Sequence, residues 1–353
     1  MIPQSEVYFA DVRVTPKDNM FEKFKRLLTA LKIDSLIKPR DLVCIKLHFG
    51  ELGNMGYIHP VWVRELVNII KEQGAKPYLS DTNTLYGGKR ADAVDHITTA
   101  ILNGFSYEVV GCPIIIGDGL RGEAEDIVEI NKKHFKEVSL AKLITQADVL
   151  ISLAHFKGHA LTGFGATLKN LGMGIVSKRG KYKMHINTYP LISRDLCKGC
   201  GFCTQKCPQN ALTIKDNKVW FIKERCIGCG ECLSLCQEGA IKINWKEVIP
   251  QVIQERIVEA CYAVLKSIKK AIFINFVIQI SPDCDCCSFT DAYIVQDIGI
   301  LGSNDAVALD EASVRLVNES WGNRNSALKT NYNPGEDKIK GMHPEVDWQI
   351  QLR

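Results

Sequence analysis

The sequence predicts an α/β fold: a mostly parallel sheet with helices on both faces, interrupted by an inserted cysteine-rich segment. Three observations carry this expectation. Short apolar runs alternate with amphipathic helical spacing through the first half of the 353-residue chain, the pattern of strand–helix–strand units. The alternation stops across residues 190–245, where cysteines and short segments dominate. It then resumes with a long helix, two strands and a further helix. The expected division is 1–189 and 246–353 as two parts of one α/β domain, with 190–245 inserted between them.

Taken in order, "EVYFADVRV" reads as a strand and "NMFEKFKRLLTALKI" has helical apolar spacing. "DLVCIKLHFG" is a strand. "PVWVRELVNIIKEQG" is a helix opened by Pro60 and closed by Gly74. "KPYLSD" is a strand, "RADAVDHITTAILNG" a helix ended by glycine, and "PIIIGD" and "DVLISLAH" are strands, the last preceded by the helix "LAKLITQA". After the cysteine-rich segment come the helix "EVIPQVIQERIVEACYAVLKS", the strands "AIFINFVIQI" and "AYIVQDIG", and the helix "SNDAVALDEASVRLVNES". The tail from Thr330 reads as polar loop.

Composition narrows the function classes. A hydrophobic fraction of 46% and a charged fraction of 24% are those of a globular protein. The net charge of +4 is spread out, with no Lys/Arg-rich run, which argues against nucleic acid and anionic membrane as partners. The first residues lack a basic stretch followed by an apolar one, and "AIFINFVIQI" is too short to span a bilayer. A cytoplasmic location is the expectation. There, 14 cysteines point to metal binding rather than disulfides.

"CKGCGFCTQKCP" and "CIGCGECLSLCQ" are two copies of C-x₂-C-x₂-C-x₃-C. This is the bacterial two-cluster ferredoxin run, in which the fourth cysteine of each copy ligates the other copy's cluster. One [4Fe–4S] cluster would be held by Cys197, Cys200, Cys203 and Cys236, the other by Cys226, Cys229, Cys232 and Cys207. A pair of zinc sites is the competing reading, and two complete copies argue against it. Such clusters would transfer electrons, with a redox protein as partner.

Ligands in open α/β sheets bind outside the carboxyl ends of the strands. Here those ends carry reactive groups: Lys46 and His48, Asp81, His155 followed by Lys157 and His159, the thiols Cys284, Cys286 and Cys287, and Asp297. His48, Asp81, His155, Lys157 and His159 are candidate catalytic residues. Lys46, Lys169 and Asn170 are candidate contacts to an anionic substrate or cofactor. Each has a plainer reading: a hydrogen-bonded structural histidine, an aspartate capping a turn. "GFGATLKN" reads either as a loop opening a helix whose N–H groups hold an anion or as a plain turn. His59, His96, His134 and His343 are assigned to surface or local structure, and Cys44, Cys112 and Cys261 to inert buried thiols.

"SPDCDCCSFTD" places three thiols in four positions. In an extended segment Cys284 and Cys286 point one way and Cys287 the other. Two thiolates with one or two histidines would make a third, zinc-like or iron site. The alternative is a redox-active or merely buried thiol group. Asp283 and Asp285 would raise the thiol pKa values by like charge, which favours a bound cation.

"KLHFGELGN", "SDTNTLYGGKRADAVDH", "HFKGHALTGFGATLKNLGMG", "SPDCDC" and "DIGILGSNDAVALD" together resemble domain-of-unknown-function family 362, across roughly residues 5–320. The resemblance implies this α/β domain joined to a two-cluster ferredoxin module, and no reaction. Two readings remain. One is an oxidoreductase in which the clusters exchange electrons with a small molecule or metal site at the strand ends. The other is a non-catalytic electron carrier, redox sensor or assembly factor that docks a protein. A pure carrier has no need of a polar crevice.

Overall fold

The computed structural model describes residues 5–85, 88–185, 189–226, 231–236, 238–244 and 247–353. Its centre is a six-stranded sheet. The strands, in spatial order, are Val7–Asp11, Gly299–Ser303, Ala271–Val277, Val149–His155, Leu42–Lys46 and Lys76–Ser80. The last four are mutually parallel, and Gly299–Ser303 runs against both its neighbours. The sheet therefore draws strands from both sides of the cysteine-rich segment.

Alternation along the strands builds two cores. Val43, Ile45, Ile151, Ile272, Ile274 and Phe276 face one side, against helices Met20–Ala30, Pro60–Glu72 and Ala93–Leu102. Cys44, Leu150, Phe273 and Val277 face the other, against Thr167–Gly172, Pro250–Ser267 and Ala306–Asn318. Strands buried on both faces read as continuous apolar runs, which is why these four were recognisable. The helix starts follow side-chain chemistry: Asn19, Asp92 and Asp305 each accept two N–H bonds from the first turn, and Pro60 supplies the first residue of its helix.

Two expected strands are absent. "PIIIGD" makes only an isolated bridge at Ile114 to Leu79 and then turns. "AYIVQDIG" is loop with one bridge at Val295, and the strand begins two residues after Asp297. That aspartate accepts the N–H of Gln279 at 2.6 Å and tethers the loop.

Within residues 190–245, Leu191–Ile192 pairs antiparallel with Ile241–Lys242, and Leu212–Lys215 with Lys218–Phe221. Short helices Phe202–Gln205 and Glu231–Leu235 lie between. The latter lies against the helix Lys178–His185. Among the described residues no helix is long and apolar enough to cross a membrane.

Helix Thr167–Gly172 must approach Pro250–Ser267 closely. A Cβ on Gly172 would stand 2.1 Å from the carbonyl oxygen of Ile257. Gly172→Ala is expected to push the helices apart and cost about 1–3 kcal/mol. Chemical denaturation reads this directly, and an unchanged midpoint would contradict the packing described.

Candidate functional site

The carboxyl ends of the four parallel strands open into a cavity of ≈ 230 Å³. Its polar lining includes Lys46, His48, Asp81, Arg90, Lys157, His159, Lys169, Asn170, Lys181, His185, Cys284 and Cys286, and its apolar wall includes Leu161, Met173, Ile253 and Ile257. His155 stands behind Lys157 and does not line it.

The floor is a buried ion pair. Lys46 Nζ lies 3.0 Å from Asp81 Oδ1 and donates to Asn170 Oδ1 at 2.9 Å. Burial opposes ionisation of Asp81, but Lys46, with His96, His48 and Lys181 acting together, outweighs it and holds the carboxyl well below the usual range. Asn170 also donates to Ser152 Oγ and Leu153 O, so it is a strut of the floor. His96, assigned from the sequence to surface or local structure, is fully buried with Nε2 3.7 Å from Asp81.

The hydrogen bonds define what each histidine can do. Arg90 Nη1 donates to His48 Nε2 at 2.9 Å, and the Gly50 N–H points at His48 Nδ1 at 3.0 Å. Burial, then the Arg90 charge, holds its pKa well below the ordinary value, so the ring is neutral. His155 faces Asp285 Oδ1 and Ile278 O, each at 2.9 Å, so both ring nitrogens are engaged. His159 Nδ1 accepts from Leu161 N and Thr162 N, both at 3.2 Å. Its proton therefore sits on Nε2, which has no hydrogen-bond partner among the described residues. His185 Nδ1 donates to Lys181 O at 2.7 Å, and burial lowers its pKa to about 4.

The thiol segment is a turn, closed by Cys287 N–H to Cys284 O at 2.9 Å, and this corrects the extended reading. The thiols of Cys284, Cys286 and Cys287 act electrostatically on one another, and those of Cys284 and Cys286 also feel the Lys169 ammonium. Asp285 points away from them. Its buried carboxylate meets His155 at 2.9 Å and Lys157 at 3.0 Å, which neutralises the like charge expected to act on the thiols. Close backbone contact completes the clamp: a Cβ on Gly158 would lie 2.1 Å from Pro282 O. Lys169 Nζ approaches Cys284 Sγ to 3.2 Å.

The zinc-like site of two thiolates and histidines does not assemble. His48 faces donors at both ring nitrogens, and both nitrogens of His155 are spent on Asp285 and Ile278. Among the described residues no three His, Cys, Asp or Glu side chains are arranged around a single metal ion. The glycine loop also differs from expectation. The first N–H groups of helix Thr167–Gly172 are taken by Asp310, at 2.9 and 2.8 Å, not left for an external anion. Burial raises Asp310 to about 6.

Lys181, Arg90, Glu51, Asp310 and His185 were not singled out in the sequence. Lys181 donates to Thr82 Oγ1, Thr82 O and Asn83 O, and burial depresses it to about 8. Arg90 is buried against Glu51 at 3.2 Å. Glu51 and Asp310 stand as charges among apolar or small residues, whereas Lys181 and His185 lie in the basic stretch "KRGKYKMH", where nothing sets them apart.

In the cysteine-rich segment, Cys197, Cys200, Cys203 and Cys236 line one small cavity with Phe202, Val219 and Ile241. Burial and the sulfurs of Cys236, Cys200 and Cys197 push Cys203 up to about 11. The N–H groups of Gly199 and Val219 point at Cys197 Sγ at 3.4 and 3.3 Å. Four cysteines lining one cavity, with N–H groups aimed at one sulfur, are a donor set that suits an iron–sulfur cluster. Of the second set, Cys207, Cys226 and Cys232 are described, and Cys229 lies outside the described residues.

A model of the family described as Domain of unknown function (DUF362) matches residues 43–315. The chain belongs to this family. Over 40 residues, 11% of this DUF362 chain, it is 48% identical to the ferredoxin-type protein NapF of Haemophilus influenzae, spanning 23% of that protein's length. Among solved structures it is similar to a Thermotoga maritima protein (TM-score 0.42, 11% identity, 74% of this chain and 52% of that one). It is also similar to the lactate racemase apoprotein of Thermoanaerobacterium thermosaccharolyticum (TM-score 0.38, 14% identity, 72% and 48%). The chain thus spans about half the length of each.

Removing Asp81 would leave Lys46 buried without its counter-charge. Asp81→Asn is expected to cost about 3–5 kcal/mol of stability, and the Lys46→Met/Asp81→Leu double variant less. Denaturant unfolding of both variants checks this, and a double variant worse than the single would contradict the pairing.

Proposed function

We propose that this protein is an iron–sulfur redox enzyme whose strand-end crevice binds a small anionic molecule. The observation that carries the reading is an excess of buried positive charge. Lys46, Arg90 and Lys157 are answered by Asp81, Glu51 and Asp285. Lys169 and Lys181 reach only a thiol and neutral oxygens for hydrogen bonds. Asp118 and Asp81 act on Lys181 only from beyond ion-pair distance, and Lys169 meets no carboxylate within it among the described residues, so an incoming anion would be favoured here. The cysteine runs and the likeness to a ferredoxin-type protein support iron–sulfur binding. Cys197, Cys200, Cys203 and Cys236 would hold one [4Fe–4S] cluster, and Cys226, Cys229, Cys232 and Cys207 the other, on a module spanning 190–245. When bound, such clusters supply single electrons.

The chain's own residues have separable tasks. Lys169 and Lys181 receive the anion. The His159 Nε2–H donates a hydrogen bond to it. Lys46, Asp81 and Asn170 keep the floor rigid. His185, neutral, donates from Nδ1 to Lys181 O and holds that turn of the helix against the crevice. Met173, Ile253 and Ile257 exclude water. A small-molecule substrate, a redox partner protein and a cytoplasmic setting belong to the same proposal. A non-catalytic carrier would account for the cysteine runs but leaves this crevice without a use.

Two measurements test the reading. Anaerobically prepared protein is expected to hold about eight irons and eight sulfides, and Cys200→Ala roughly half of each. Stoichiometric zinc without sulfide would refute the clusters. For the crevice, sulfate is a suitable probe because its charge is constant near neutrality. Burial lowers the pKa of Lys181 to about 8, so it is an ammonium below that pH and a neutral amine above it. Sulfate affinity should therefore be full below about 8 and fall as pH rises through it. Lys181→Met should weaken binding about tenfold or more and flatten the profile. Equal affinity in variant and wild type by calorimetry would overturn the anion reading.

A further inference from the structure

We propose that Cys284 and Cys286 form a dithiol–disulfide couple in the crevice wall, a two-electron store between single-electron clusters and the bound anion. The inference rests on the reading above and names the group through which that site would exchange electrons.

Four observations carry it. Both residues line the cavity, and their thiols act electrostatically on one another. They are two apart in a closed turn, whereas Cys286 and Cys287 are neighbours. Adjacent Cα atoms lie about 3.8 Å apart, short of the roughly 4.4–6.8 Å that disulfides span. Cys287 is therefore a poor partner despite its contact with Cys286. The turn is held from outside by Asp285 on His155 and Lys157, and by Asn54 donating to Cys287 O and Phe289 O at 3.2 and 2.9 Å. The thiols can then change state without the loop unfolding. Finally, the Lys169 ammonium, 3.2 Å from Cys284 Sγ, would stabilise the thiolate released when the disulfide opens. Cys44, Cys112 and Cys261 contrast with this. They are buried singly, each pushed up to about 12 by desolvation.

The chemistry balances. The Cys284–Cys286 disulfide takes up two electrons, which the two [4Fe–4S] clusters would supply one each when bound. It also takes up two protons from solvent, one of them through Lys169, and two thiols result. These thiols pass two electrons and two protons to a two-electron acceptor bound as an anion beside Lys169 and Lys181, and the S–S bond re-forms. The converse direction reverses every transfer.

The test is differential alkylation of the full chain, held anaerobically in buffers of varied oxidised-to-reduced dithiothreitol ratio. Trypsin releases 271–315, which contains all three cysteines. In oxidising buffer this peptide should carry a single label, at Cys287, and be lighter by two hydrogens. In reducing buffer it should carry three. Cys286→Ser should carry two labels at every ratio. A second readout is reductive titration: the oxidised wild type should take up two more electrons per chain than Cys284→Ser/Cys286→Ser. Three labels at every ratio, or a disulfide that includes Cys287, overturns the couple. If sulfate binding survives in that case, the anion site stands without it. Loss of sulfate binding with the disulfide present would sink the anion site and leave the couple intact.

Discussion

The carboxylate of Asp285 organises the crevice. In sequence it separates two thiols, and in space it is fully buried between His155 and Lys157, two residues at the end of another strand. An isolated carboxylate could not remain charged there. Burial pushes its pKa up, but His155 and Lys157 overcome that and hold it far below the ordinary range. The consequences spread outward. Because Asp285 turns inward, Cys284 and Cys286 present their sulfurs to the cavity. His155 gives both nitrogens to fixed acceptors, so it acts as an anchor and not as a base. Lys157 becomes part of the wall.

The same logic runs through the floor, where Asp81 compensates Lys46, and the rim, where Glu51 compensates Arg90. These pairs span different elements: two adjacent strands, then two loops. Each is a buried pair whose loss would leave a bare charge, so each locks its two elements in one relation. A crevice made this way is preorganised. Its lysines need not move to receive a ligand, and the ordering entropy has been met during folding.

What could be read from the sequence follows from the distinction between local and remote causes. The strands Leu42–Lys46, Lys76–Ser80, Val149–His155 and Ala271–Val277 are apolar because both their faces are covered, and that leaves a local mark. So does Pro60 at a helix start. Gly299–Ser303 leaves none: it contains two glycines and lies in the sheet because Val7–Asp11 and Ala271–Val277 flank it. "AYIVQDIG" has strand-like composition but no free sheet position, and Asp297 ties it to Gln279 instead. The strand-end lysines and thiols were legible because parallel strands place their carboxyl ends together. Lys181, Arg90 and Asp310 were not, because they reach the site from helices and loops distant in sequence. The inward turn of Asp285 is the sharpest case. Its partners are about 130 residues away, and the local sequence predicts the opposite face.

The placement of Lys181 and His185 bears on why a cysteine-rich segment would be inserted at this point of the chain. Both belong to the helix Lys178–His185, the last before that segment. Ile253 and Ile257 belong to Pro250–Ser267, the first helix after it. All four line the cavity. The chain therefore leaves the crevice on one lining element and returns on another, and the helix Glu231–Leu235 of the segment lies against the departing one. A carrier module appended at a chain terminus would need a docking surface or tether to approach the crevice. Two covalent connections into the cavity wall restrict the segment's position from both ends, with no interface to optimise. Electron exchange depends on proximity. Under the proposed redox function, an insertion at this point would meet that requirement through connectivity, with the ring of His185 at the end of the departing helix.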